Sequence, residues 1–234
     1  MYRLFFTPEW FNGWDIAFDL IILVVAMLIA GYSWRVYQIN KENKFAYFSL
    51  AFVFVAIGML SKSFSSGVLY FTSLRDVTAS VLAPVVGPKL SLSHLYYRAS
   101  FFFQMASFLG AWLLIFFISQ KSRARLRKLH EVTQIALFIY LVLLISIVSN
   151  FSYFVFYLTS MVLLGLIVLN YYKNYLNTKN KNTFRVMLAF IYILVGNIFF
   201  VFVFLFQSLY VLGELFMLLG FLQLLLTYAR VRRK

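Results

Sequence analysis

The sequence contains no cysteine, only three prolines and two histidines, and seven acidic side chains in 234 residues. Without cysteine there is no disulfide, no thiol nucleophile, no iron–sulfur cluster and no thiolate metal site. His94 and His130 fall on opposite sides of the topology derived below, which excludes a bis-histidine haem. The stretch from His130 to Gln134 begins like a zinc-protease HExxH motif but lacks the second histidine. No glycine-rich phosphate loop is present, and Pro8, Pro84 and Pro88 all fall outside the predicted helices. Charge is scarce as well: 12% of residues are charged, against about 25% in an average soluble domain.

What is abundant is apolar surface. Hydrophobic residues make up 63% of the chain, and the mean hydropathy is +0.87. A globule of this length leaves about a quarter to a third of its surface in water. A soluble enzyme, a secreted disulfide scaffold and a disordered tail are therefore excluded, and a polytopic membrane protein remains. Apolar runs occur at 14–34, 45–71, 95–119, 132–149, 152–172, 186–206 and 209–229. Each approaches the roughly 20 residues that cross about 30 Å of hydrocarbon as a helix. The stretches 132–172 and 186–229 are almost continuous, but one helix over either would be about 60 Å long. Ser149-Asn150 and Gln207-Ser208 supply the polar turns that divide them. Transmembrane strands need short segments of alternating polarity, and none is present. The predicted fold is all-α: one domain, 1–234, forming a seven-transmembrane-helix bundle.

Basic residues set the predicted orientation. Of 21 Lys and Arg, all but Arg3, Lys62, Arg75, Lys89 and Arg98 fall in the loops after the first, third and fifth helices or in the C-terminal tail. By the positive-inside rule the N-terminus lies outside and the C-terminus in the cytoplasm. The net charge of +14 is read as topology and attraction to anionic lipid headgroups, with no nucleic-acid partner. The basic loop 121–128 is also a candidate dock for a cytoplasmic protein partner. The N-terminus is not expected to be a cleaved signal peptide; Trp10, Phe11 and Trp14 suit an aromatic belt at the outer interface.

Charged groups inside a bilayer are costly and usually face the bundle interior. Those in the predicted spans are distributed unevenly. Asp15, Asp19, Lys62, Arg98, Gln104, Asn197 and Glu214 all fall in the outer half at about 1.5 Å of rise per residue. Asp15 and Asp19 share a face of the first helix. Ser61, Lys62, Ser65 and Ser66 form a polar arc on the second, with Gly58 one turn inward, and His94 lies near the outer end of the third. The expectation is a cluster of three carboxylates and two cations, with Lys62 paired to Asp19 or Glu214. It forms either the floor of an outward-facing cavity or an ion-pair network that fixes helix packing. The seventh helix has no lysine for a retinal Schiff base, no cofactor is indicated, and no metal site is expected. The loop 72–94 is read as a connector, a lid or a short interfacial segment. The 29 Phe and 16 Tyr are read as packing and lipid contact.

The leading functional expectation is a receptor-like or sensor-like module of the cell membrane, not an enzyme. With no domain after Lys234, its output is expected to pass to a separate partner through 120–131 and 173–185. In topology alone it resembles the seven-helix sensory modules that precede signalling domains. Two alternatives stand beside it: a non-catalytic assembly subunit of a membrane complex, and a small proton- or ion-coupled transporter.

Overall fold

Helices account for nearly all of the described chain because nearly every long segment is a continuous apolar run with no internal backbone partner other than itself. The computed structural model describes residues 7–86, 92–120 and 153–232. Within those ranges the side chains of Glu9, Arg75, Ala79, 82–99 and 231–232 are outside the description. After a short 3-10 turn at Glu9–Phe11, the elements are α1 (Trp14–Asn40), α2 (Asn43–Tyr70), α3 (Thr72–Val86), α4 (Leu92–Ser119), α5 (Tyr153–Thr178), α6 (Lys181–Val201) and α7 (Ser208–Arg232). No strand occurs among the described residues. Six of these helices are long and apolar enough to cross a membrane, all but α3. The chain is a multi-pass membrane helical bundle. The predicted span 132–149 and the basic loop 121–128 lie outside the described residues.

The helix ends differ from the apolar runs for a physical reason. Hydropathy drops where the chain leaves hydrocarbon, but backbone hydrogen bonding continues into the interface. So α1 continues to Asn40 rather than 34, α5 continues to Thr178 rather than 172, and α6 begins at Lys181 rather than 186. Two-residue connectors then reverse the chain. Lys41 and Lys179 adopt left-handed backbone conformations (φ 53° and 48°), and their N–H groups donate to the carbonyls of Tyr37 and Tyr175, both at 2.7 Å. Each is a left-handed helix cap carrying a lysine, whose charge also suits the negative end of the helix dipole. Asn180 accepts from the Asn182 N–H at 2.9 Å and caps the start of α6.

Two expectations are corrected. The run counted as helix to 206 leaves helical geometry after Val201, and 202–205 form turns. Phe202, Phe204, Leu205 and Phe206 are exposed there. The reversal into α7 begins in apolar residues, so hydropathy does not mark its start; Gln207, one of the two predicted turn residues, falls at its end. The segment after α2 is a 15-residue helix, α3, and Pro84 lies inside it rather than in a loop. Because Pro84 falls in the last turn, the missing N–H removes one bond near a helix end instead of breaking a long helix.

The spanning helices close a ring. Each packs on the next in the order α1, α2, α4, α5, α6, α7, and α7 returns to α1. We call the end of the bundle where α1 begins proximal and the other distal. Most neighbours are antiparallel, but α4 and α5 are parallel. Phe101 lies against Tyr153 (ring centroids 4.2 Å) toward their N-terminal ends, while Asn170 Nδ2 donates to Ser119 Oγ (3.0 Å) near their C-terminal ends. α1 and α7 also run the same way. Phe11, just before α1, faces Tyr210 at the start of α7. Phe48, near the distal turn that follows α1, faces Tyr228 near the end of α7.

The interior is aromatic and aliphatic, with Phe52, Trp112, Phe190 and Phe221 fully buried, while Leu20, Ile21, Val24 and Leu28 of α1 face outward. The tightest crossing is α6 on α7. A methyl at Gly220 would fall 2.5 Å from Ile193 Cγ1 and 2.9 Å from the Ala189 carbonyl, and one at Gly196 would fall 2.9 Å from the Gly213 carbonyl. Gly31, by contrast, has open space beside it. We expect Gly220→Ala to lower the thermal midpoint in detergent, since overpacking costs about 1–3 kcal/mol. Gly31→Ala should leave the midpoint unchanged or raise it, in line with a helix propensity gain of about 1 kcal/mol. Equal midpoints for the two variants would contradict the close crossing.

Candidate functional site

Three helices place one ionisable side chain each at the same depth in the proximal half of the bundle. Asp19 of α1 is 0% exposed, Lys62 of α2 is 4% and Glu214 of α7 is 1%. The Lys62 ammonium donates to Asp19 Oδ1 at 2.8 Å and also to Glu214 Oε1. It reaches both carboxylates at once, where the sequence reading paired it with one or the other. The same ammonium stands 5.6 Å from the centre of the Tyr210 ring, a cation–π contact that strengthens when water is excluded. Glycines let the surrounding helices close in: the Phe108 ring lies against the bare face of Gly58, one turn from Lys62, and Phe200 lies against Gly213, next to Glu214.

The other expected members divide into separate groups. Asp15 does not contact Lys62. Its Oδ1 accepts from the N–H groups of Gly13 (3.0 Å) and Ile16 (2.9 Å), and its Oδ2 accepts from the Tyr70 hydroxyl at 2.9 Å. Asp15 therefore caps the start of α1, turned there through Gly13 at φ +92°, and ties it to the end of α2. Gln104 and Asn197 line a small cavity together with Lys62 and Glu214. Asn197 Nδ2 donates to the Ile193 carbonyl at 2.9 Å and approaches Met217 Sδ at 3.5 Å. The side chains of Arg98 and His94 lie outside the described residues.

The cavity has about 20 Å³ of space for water centres. A single water needs about 10–15 Å³ by the same measure, so the space suits one water and not an organic ligand. Asp19 Oδ2 and the Tyr210 hydroxyl are buried without a hydrogen-bond partner. Among the described residues no three His, Asp or Glu side chains are grouped to hold a metal ion.

Sequence reasoning missed three participants. Ser100 of α4 meets Ser65 of α2, and the two hydroxyls lie 3.1 and 2.8 Å from the Ser61 carbonyl. With one proton each, only two of these three contacts form at a time. Tyr70 and Tyr210 are two of the 16 tyrosines read from the sequence as packing and lipid contact. Their hydroxyls carried no signal in a chain so rich in aromatics. No protein-family model matches the chain, and neither a curated protein nor a solved structure is significantly similar to it.

Removing one partner of a buried ion pair costs about 3–5 kcal/mol, while replacing all members with neutral groups of similar size is often tolerated. Lys62→Met is therefore expected to lower the thermal midpoint strongly. Adding Asp19→Asn and Glu214→Gln to it should recover most of the loss. A single Lys62→Met variant as stable as the parent would show that the triad does not hold these helices.

Proposed function

We propose that the chain is a seven-span, non-catalytic receptor or sensor module of the cell membrane, with its N-terminus outside and its C-terminus in the cytoplasm. The observation that carries this reading is the buried Asp19–Lys62–Glu214 triad. It joins the first, second and last helices in one half of the bundle only. In this reading the network is the switch: disturbing it at the proximal end changes how α7 sits against α1 and α2, and α7 extends to the opposite face.

The helix directions support the span count. Two membrane-crossing helices that run parallel need a return crossing between them. α4 and α5 run parallel, and 132–149 is the apolar run between them that is long enough. An odd number of crossings is equally what α1 and α7, running the same way, call for. Orientation is supported by charge: Arg35, Lys41, Lys44, Lys173, Lys179, Lys181, Arg185 and Arg230 all belong to the distal ends of the helices and their connectors, and the predicted basic loop 121–128 follows the distal end of α4. This arrangement suits a cytoplasmic face with anionic lipid headgroups, and a protein partner reading it there.

Proton- or ion-coupled transport needs a polar path through both halves. The distal half is filled by buried apolar side chains such as Ile29, Phe52, Phe221 and Leu224, which favours sensing over transport.

The absence of cysteine makes one pair of introduced thiols sufficient as a test. Cysteines at Glu42 and Arg230, both exposed at the distal face, should react with a membrane-impermeant reagent only from the cytoplasmic side. Spin labels on the same pair should show a changed distance distribution in Glu214→Gln, with no solute or proton flux in proteoliposomes of the parent. Labelling from outside would overturn the orientation. An unchanged distance together with flux that Glu214→Gln abolishes would overturn the sensing role in favour of transport.

A further inference from the structure

The triad is not charge-balanced. Asp19 and Glu214 bring two carboxylates to one ammonium, and neither has another ion-pair partner among the described residues. If all three groups were ionised, a net negative charge would be enclosed in a bilayer interior, where even a single unpaired charge costs a few kcal/mol or more. The surroundings do not compensate. Asp15 of α1 adds a third carboxylate one turn away. From α5 and α7 the nearest titratable groups are Tyr157 and Tyr210, and Gln104 of α4 and Asn197 of α6 are neutral amides at the cavity. One further observation bears on the charge of Asp19. Its Oδ2 is fully buried and accepts no hydrogen bond, an unfavourable setting for a charged oxygen.

We infer that the Asp19–Lys62–Glu214 triad binds one exchangeable proton, held by its two carboxylates, so that the ligand of this site is a hydrogen ion rather than an organic molecule. With the proton on one carboxyl the unit is neutral: one acid, one carboxylate and one ammonium. A proton on Asp19 also removes the charge from an oxygen to which no donor is directed. A metal cation fits less well, because the Lys62 ammonium already occupies the position between the two carboxylates and repels it. The adjacent cavity, sized for one water, provides a carrier through which the proton reaches or leaves Glu214. Release of the proton returns the unit to net negative charge and sets Asp19 of α1 against Glu214 of α7. This consequence rests on the sensor reading above, whereas the presence of the proton does not depend on it.

Infrared spectroscopy of the full chain in nanodiscs separates the two. At neutral pH the parent should show the carbonyl stretch of a buried protonated carboxylic acid, and the band should disappear reversibly as the pH is raised. Asp19→Asn and Glu214→Gln each leave one carboxylate for one ammonium, so either variant should lack the band. Asp15→Asn should keep it. Absence of the band in the parent at neutral pH overturns the inference, as does a band that survives in both Asp19→Asn and Glu214→Gln. If the parent lacks the band and gains it when sodium is replaced by choline, a metal cation balances the site instead. If the parent lacks it and Arg98→Gln gains it, that arginine does so. Both outcomes reject the proton. The parent titration needs no variant to fold, and a band that titrates without any change in the spin-label distance between positions 42 and 230 would uphold the proton while rejecting the sensor.

Discussion

A lysine ammonium in a bilayer interior must have its counter-charge brought to it, and most of this bundle's proximal architecture follows from that requirement. Lys62 lies too deep in α2 for its side chain to reach water easily. Its partners come from helices far apart in sequence, Asp19 in α1 and Glu214 in α7. The first and last described spans are therefore drawn to the same flank of α2, and the ring closes. Lipid tails are as apolar as leucine, so burial of aliphatic side chains does little to drive helices together in a membrane. Close packing and polar contacts carry the association instead.

The remaining contacts are consistent with this division of labour. On the α6–α7 side, Gly196, Gly213 and Gly220 let backbones and rings approach closely. On the α2–α4 side, Gly58 receives Phe108 and the Ser61–Ser65–Ser100 group supplies hydroxyl contacts. The distal half holds lone hydroxyl and amide bonds, such as Ser49 to the Ala30 carbonyl at 2.8 Å and Asn170 to Ser119, but no ion pair between helices among the described residues. The described charge network is thus confined to one end of the bundle.

Much of the fold was legible in the sequence because hydropathy reports directly on the solvent. The apolar runs located the six described spans, and the intramembrane charges pointed to Asp19, Lys62 and Glu214. Legibility failed where hydropathy and helicity part. Helices run on into the interface past Trp34 and Tyr172, and the chain leaves the helix after Val201, several apolar residues ahead of the polar Gln207 that marks the turn. It failed again where a residue's role depends on its neighbours. Asp15 shares a helix face with Asp19 but sits in the first turn, where free backbone N–H groups claim its carboxylate before any lysine does. Ser100, Tyr70 and Tyr210 belong to residue types so common in these helices that no pattern singled them out. Helix direction was likewise invisible: the parallel course of α4 and α5 emerges only from which of their ends touch.

The central claim is that one ammonium joins α1, α2 and α7 through two carboxylates. Solid-state NMR of the full chain in lipid bilayers tests it most directly, by measuring dipolar couplings from the Lys62 Nζ nitrogen to the side-chain carboxyl carbons of Asp19 and Glu214. Couplings of direct-contact strength to both carbons are predicted, each removed by substitution of the corresponding acid. A Lys62 nitrogen with no carboxyl carbon in contact would contradict the claim.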